Sequence, residues 1–170
     1  VGRESTDCGD LTNLEGISHT IRSFSPQVII NAAAFTSVQE AEQEKDTVEK
    51  INILAPATMA KIAKKIDALL VQYSSDYVFD GKKSSPYTEN DGLSPLNIYG
   101  YSKRESERHI RETDCNHLIL RSSWIYDTQH SNFLTIILKK IAAGEDITIR
   151  ANQIGAPTSA RFLASCTWKV

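Results

Sequence analysis

Tyr99 and Lys103 stand four residues apart at the start of a segment with helical periodicity. That spacing stacks the two side chains on one face, one turn apart. A phenol titrates near 10 and is a poor acid or base at neutral pH. A neighbouring ammonium favours the phenolate, lowers that pKa and brings the group toward its working range. The same ammonium can bond a ribose hydroxyl. The spacing alone is weak, since chance supplies a Tyr-x-x-x-Lys in about one sequence in three of this composition. Ser74-Ser75, after an apolar run ending at Tyr73, strengthens it. A hydroxyl there can bond a carbonyl oxygen while Tyr99 donates its proton. A plain strand-end cap is the competing reading for the two serines.

These side chains need elements to hold them. Gln27–Asn31, Ala68–Ser74 and His117–Ser123 are short apolar runs with β-branched residues and read as buried strands. Asp146–Arg150 reads as a weaker fourth. Helical patterns lie between them. Ile17, Ile21 and Phe24 share a face, with Thr12 or Asn13 as N-cap. Ile51, Leu54, Met59, Ile62, Ala63 and Ile66 trace a longer helix, and Pro56 predicts a kink in it or a start near that position. Tyr99–Ile110 and Phe133–Ala143 are two more, the last ended by Gly144. The alternation predicts an α/β fold with βαβ units and a doubly wound, Rossmann-like parallel sheet. Ligands of such sheets bind beyond the carboxyl ends of the strands. Ala32-Ala33-Ala34, Ser74-Ser75-Asp76 and Ser123-Trp124 are therefore expected to converge on one crevice. The connection over residues 76–97 is long for a compact domain and marks a functional loop.

The bulk numbers exclude several classes. A chain of 170 residues with 41% hydrophobic and 24% charged residues can bury a core. A formal charge of −2 offers no global field for nucleic acid or an anionic membrane. No apolar run is long enough to cross a bilayer. Cys8, Cys115 and Cys166 are far apart and odd in number, which predicts reduced thiols in a cytoplasmic protein. The histidines lack metal-ligand spacing, so no metal site is expected. Arg3 reads as a solvated surface arginine in preference to a partner for a cofactor 2′-phosphate.

Ser-Ser-Asp-Tyr-Val-Phe-Asp-Gly (74–81) followed by Pro-Leu-Asn-Ile-Tyr-Gly-Tyr-Ser-Lys (95–103) resembles the extended short-chain dehydrogenase/reductase superfamily. Within it the chain resembles the dTDP-4-dehydrorhamnose reductase family. Cys8-Gly9-Asp10-Leu11, Asn31 to Thr36, Ala41-Glu42, Arg121 to Tyr126, Asn132-Phe133 and Asn152 to Thr158 match in order. The resemblance implies reduction of a 4-keto nucleotide sugar by NADPH or NADH. It implies Ser75, Tyr99 and Lys103 as the catalytic residues. Asp10, Leu11, Ala32, Ala33, Ala34 and Tyr73 would lie with Tyr99 and Lys103 along the cofactor, and Asp76, Tyr77 and Trp124 beside the sugar. Without the resemblance, the three alanines read equally as tight packing, and Trp124 as core.

A Gly-x-x-Gly-x-x-Gly strand–turn, which in this family holds the pyrophosphate, is not found in this sequence. The expectation is a fragment that lacks the first βα unit and most of the C-terminal substrate region. Residues 1–150 would then be a partial NAD(P)-binding domain carrying the catalytic residues, and residues 151–170 the start of the substrate region. Two alternatives share the motifs: a non-catalytic regulatory subunit of the methionine adenosyltransferase β type, and another sugar-nucleotide reductase or epimerase. Asn31–Ala34, Trp124 and Gln153–Thr158 favour the reductase. A homodimer is left open.

Overall fold

The helix α1 (Leu14–Phe24) begins where Asn13 caps it, its side chain accepting from the Gly16 N–H at 2.9 Å. A computed structural model describes residues 9–149 and 152–169. Arg3, Cys8 and Arg150 lie outside the described residues. Strand β1 (Val28–Asn31) follows, then the short helices α2 (Val38–Ala41) and α3 (Lys45–Val48). Helix α3 runs on through a π-helical turn, Glu49–Leu54, into α4 (Ala55–Ile66). Pro56 sits in the first turn of α4. It has no N–H to give and its ring crowds the carbonyl one turn back, and the wider π turn accommodates both. Strand β2 (Leu69–Ser75) leads into a 3₁₀ turn, Asp76–Val78. After the long loop come α5 (Ile98–Thr113) and β3 (His117–Tyr126). Helix α6 (Phe133–Ala142), strand β4 (Pro157–Ser159) and helix α7 (Ala160–Thr167) complete the order.

The chain forms two compact units, Val1–Arg121 and Ser122–Val170. In the first, β1 and β2 pair in parallel with Asn31 opposite Gln72, and the start of β3 follows β2 in the strand order. The core joins Ile17 of α1, Ile29 and Leu70 of the strands, Ala55, Met59, Ala60 and Ala63 of α4, and Ile110 of α5. The alanines let α4 lie close to its neighbours, as dense packing requires. In the second unit β4 pairs in parallel with the end of β3, with a register shift between Ser123 and Ile125. The expected parallel α/β, Rossmann-like arrangement is what forms.

Two details differ from expectation. Asp146–Ile149 forms no strand: Ile147 and Ile149 are exposed and find no sheet to join. The β-like alternation there has nothing to bury its apolar face. The unforeseen β4 is three residues long and opens on a proline, too short for a periodic signal. Among the described residues no helix is long and apolar enough to cross a membrane.

Candidate active site

The carboxyl ends of β1 and β2 are locked together before any reacting group appears. Asn31 Nδ2 donates to Gln72 Oε1 at 2.8 Å, and both amides are buried. Asn31 Oδ1 also accepts from the Ala33 N–H at 3.3 Å, turning the chain at Ala32–Ala34. Ala32, Ala33 and Leu11 line one cavity of about 510 Å³ beside β1 and α1. Small side chains leave its backbone open, which suits close approach of a flat or extended ligand. Asp10 sits next to Leu11, but its carboxylate accepts from the Thr12 N–H and hydroxyl at 2.9 and 2.8 Å. Ala34 is half-buried beyond the lining.

Ser75 ends β2 and caps the 3₁₀ turn, its Oγ accepting from the Tyr77 N–H at 3.2 Å and donating to Asp76 Oδ1 at 3.1 Å. Across from it, α5 starts sharply. Asn97 Oδ1 accepts from the Gly100 N–H at 2.7 Å, and Glu42 Oε1 accepts from the Ile98 N–H at 2.9 Å. Two orphan donors of the first turn are thus satisfied, one by a carboxylate that also suits the helix dipole. This turn carries Tyr99. Its phenol lies beside the Ser75 side chain. Its ring meets that of Tyr77 edge to face, with centroids 5.7 Å apart. Lys103, one turn on, is buried. Tyr73 is half-buried on β2 two residues before Ser75.

The titration of the pair differs from the sequence expectation. The Tyr99 pKa is raised, first by burial; the neighbouring Ser75 hydroxyl opposes this, while Asp76 and Tyr77 add to it. Lys103 is pushed down to about 8 by burial, with the Glu107 carboxylate acting against the shift. Desolvation of both groups outweighs the mutual effect that spacing alone suggested. The phenol is therefore held in its proton-bearing form.

Four contributors went unread in the sequence. Asn52, in the π-helical turn, accepts from the Phe35 N–H at 2.8 Å and donates to the Phe35 carbonyl and Ser102 Oγ, both at 3.0 Å. Ser102 in turn donates to the Tyr99 carbonyl at 2.7 Å. Gly100 packs against the Tyr77 backbone. Glu107, fully buried on α5, forms two bonds with Arg121 of β3 at 2.6 and 2.9 Å. Only the i, i+4 step from Lys103 to Glu107 was a signal that the sequence itself carried.

In the second unit Trp124 occupies the register shift of β3 with φ of 44°. Such a bulge re-aims a side chain, and a left-handed tryptophan is a strained position. Its indole lies against Gly155 and tilts onto Phe133, with centroids 5.2 Å apart.

A parallel α/β sheet with a strand-end serine facing a Tyr-x-x-x-Lys helix defines the class: a short-chain dehydrogenase/reductase of the extended type. The family described as RmlD substrate binding domain matches residues 2–170. The chain is 42% identical over 164 residues to dTDP-4-dehydrorhamnose reductase of Escherichia coli K12, covering 96% of this chain and 55% of that protein. It is similar in structure to the dTDP-4-dehydrorhamnose reductase of Bacillus anthracis in complex with NADP. That match has TM-score 0.89 and 34% identity, over 94% of this chain and 57% of the other. A Clostridium acetobutylicum structure of a dTDP-4-dehydrorhamnose reductase matches with TM-score 0.89 and 33% identity, over 95% and 57%. The chain belongs to the dTDP-4-dehydrorhamnose reductase (RmlD) family. It spans about half the length of the curated relatives it matches.

Proposed function

We propose that this chain carries the reacting groups of an NAD(P)H-dependent reductase that converts the C4 ketone of dTDP-4-dehydro-L-rhamnose to the alcohol of dTDP-L-rhamnose. The observation that carries the reading is the placement of Ser75 beside the Tyr99 phenol, with the buried Lys103 one turn along the same helix face. The nicotinamide, when bound, supplies a hydride to the sugar C4. Leu11, Ala32 and Ala33 offer the open cavity along which the adenine half would lie, and Lys103 a cation for a ribose hydroxyl. Ser75 donates a hydrogen bond to the ketone oxygen. Tyr99 gives that oxygen its proton as the C=O π bond opens, leaving the alcohol. A phenol kept protonated by burial suits donation, and a nearby ammonium stabilises the phenolate left behind. Asp76 and Tyr77 stand on the turn next to these groups and are assigned to the sugar.

The test is turnover of the keto-sugar nucleotide with NADPH by the full-length protein bearing Tyr99→Phe. Loss of about 10²-fold or more in kcat, with an unchanged circular dichroism spectrum, is expected. Near-normal turnover would remove Tyr99 from the reaction.

A further inference from the structure

We infer that Glu107 is a positioning residue for this reaction: its buried carboxylate, gripped by Arg121, supplies the counter-charge for Lys103 and ties the helix of Tyr99 to the loop that follows Ser75. The inference rests on the reading of Tyr99 and Lys103 given above.

The geometry is a chain of contacts within one unit. Glu107 lies one turn beyond Lys103 and two turns beyond Tyr99, on the same face of α5. It is 0% exposed. Arg121 Nε and Nη2 donate to its two oxygens at 2.9 and 2.6 Å, a fork-to-fork pairing that fixes orientation as well as distance. Arg111 approaches Oε2 from the helix's outer side at 3.2 Å. Arg121 extends the link: its guanidinium stacks over the Phe79 ring at 5.1 Å, and Phe79 stacks on Tyr87 at 4.2 Å. Tyr87 Oη donates to Asp80 Oδ1 at 2.8 Å. The loop that leaves Ser75 is thereby fastened to β3 and α5 at one buried point.

The charge argument is separate. Burying an ammonium disfavours it unless a carboxylate is near. On its own helix Lys103 has Tyr99, Glu107 and Arg111. The packed elements add Tyr73 of β2, Asp76 and Tyr77 of the 3₁₀ turn, and Arg121 of β3. The charged side chains of α2 through α4 (Glu40, Glu42, Lys45, Asp46, Glu49, Lys50, Lys61, Lys64 and Lys65) are exposed to solvent. Glu107 is the carboxylate that acts on Lys103 against burial. Burial works to raise Glu107 itself, but the bonds from Arg121 and the positive charges of Arg121 and Arg111 more than offset this and keep it ionised. Without it, Arg121 and Arg111 would lose the carboxylate they share, one helical turn from Lys103.

Two variants of the full-length enzyme decide the matter, with kcat/KM for the keto-sugar nucleotide and NADPH followed from pH 6 to 10. Glu107→Gln is expected to move the alkaline limb down by about one pH unit. Arg111→Gln, at a half-exposed position that folding tolerates, removes a cation and is expected to move the limb up. A limb that stays in place in either variant overturns the inference, because a purely structural pair would lower stability without moving it. Should Glu107→Gln not fold, the sign of the Arg111→Gln shift decides alone. If Tyr99→Phe retains turnover, the functional reading itself fails. If it is inactive while the limbs stay fixed, only the role of Glu107 fails.

Discussion

Gly100 lies against the backbone carbonyl of Tyr77 so closely that a methyl group on its α-carbon would overlap the oxygen. The neighbours of these two residues in sequence are Tyr99 and Asp76, so the contact sets the distance between the helix start and the strand-end turn. Alanine is the better helix former by about 1 kcal/mol. Here that gain is outweighed, because the group it meets is backbone and cannot rotate away. Gly100→Ala is expected to destabilise the protein by about 1–3 kcal/mol in urea unfolding. Turnover should fall by about 10²-fold, since the phenol moves relative to Ser75. A variant as stable and active as the parent would mean that the helix and turn can part without consequence.

Lys103 gives a stability prediction with a definite sign. Its folded-state pKa lies at about 8, below the ordinary lysine value of 10.5. Between those values the unfolded chain holds a proton that the folded chain has released, so stability rises with pH in that window. Below about 8 both states are protonated and the burial penalty is full and constant. Lys103→Met removes that penalty while Glu107 keeps Arg121 and Arg111. The variant is expected to be more stable by about 2 kcal/mol at pH 7, the advantage shrinking toward pH 10. Urea unfolding at the two pH values checks this. An equal gain at both would show that burial is not what displaces the proton.

Local periodicity made part of this legible. The Tyr99–Lys103 spacing, the cap at Asn13 and the break at Pro56 each depend on residues within one or two turns. So do the apolar runs of β1, β2 and the start of β3. Contacts between distant segments were not legible. Arg121 and Glu107 carry no local sign that they meet, nor do Asn52 and Phe35. The direction of the Tyr99 shift depends on burial, which spacing does not reveal. The alternation over Asp146–Ile149 shows the converse: a strand-like pattern without a neighbouring strand remains irregular.

Trp124 depends on Gly155 for its place. A Cβ on Gly155 would fall 2.7 Å from indole Cε2, inside van der Waals contact. Gly155→Ala should therefore push the indole off its seat and off Phe133. Trp168 is 88% exposed and would obscure the signal, so the experiment uses a Trp168→Phe background. A shift in Trp124 emission and in the near-ultraviolet circular dichroism is expected. Unchanged emission would mean that the loop at Gly155, rather than the ring, gives way.

Asn52 offers the sharpest separation of hydrogen bonding from packing. Its amide serves both polar groups of Phe35 and the Ser102 hydroxyl, and it is 2% exposed, so water cannot replace it. Asn52→Leu keeps the approximate volume and strands those three partners. A loss of about 3 kcal/mol or more is expected in urea unfolding. Asn52→Asp keeps the acceptor for the Phe35 N–H but turns an oxygen toward the Phe35 carbonyl and the Ser102 hydroxyl oxygen. The new carboxyl can serve the carbonyl only while protonated, so folding would raise its pKa. The native state would then bind the extra proton, and stability would fall as pH rises through the folded-state pKa. The Asn52→Asp variant should therefore lie closer to the parent at pH 5 than at pH 8, whereas the Asn52→Leu deficit should be the same at both. If both deficits were independent of pH, the amide would matter for its shape and not for the donors that join the Phe35 loop to the helix of Tyr99.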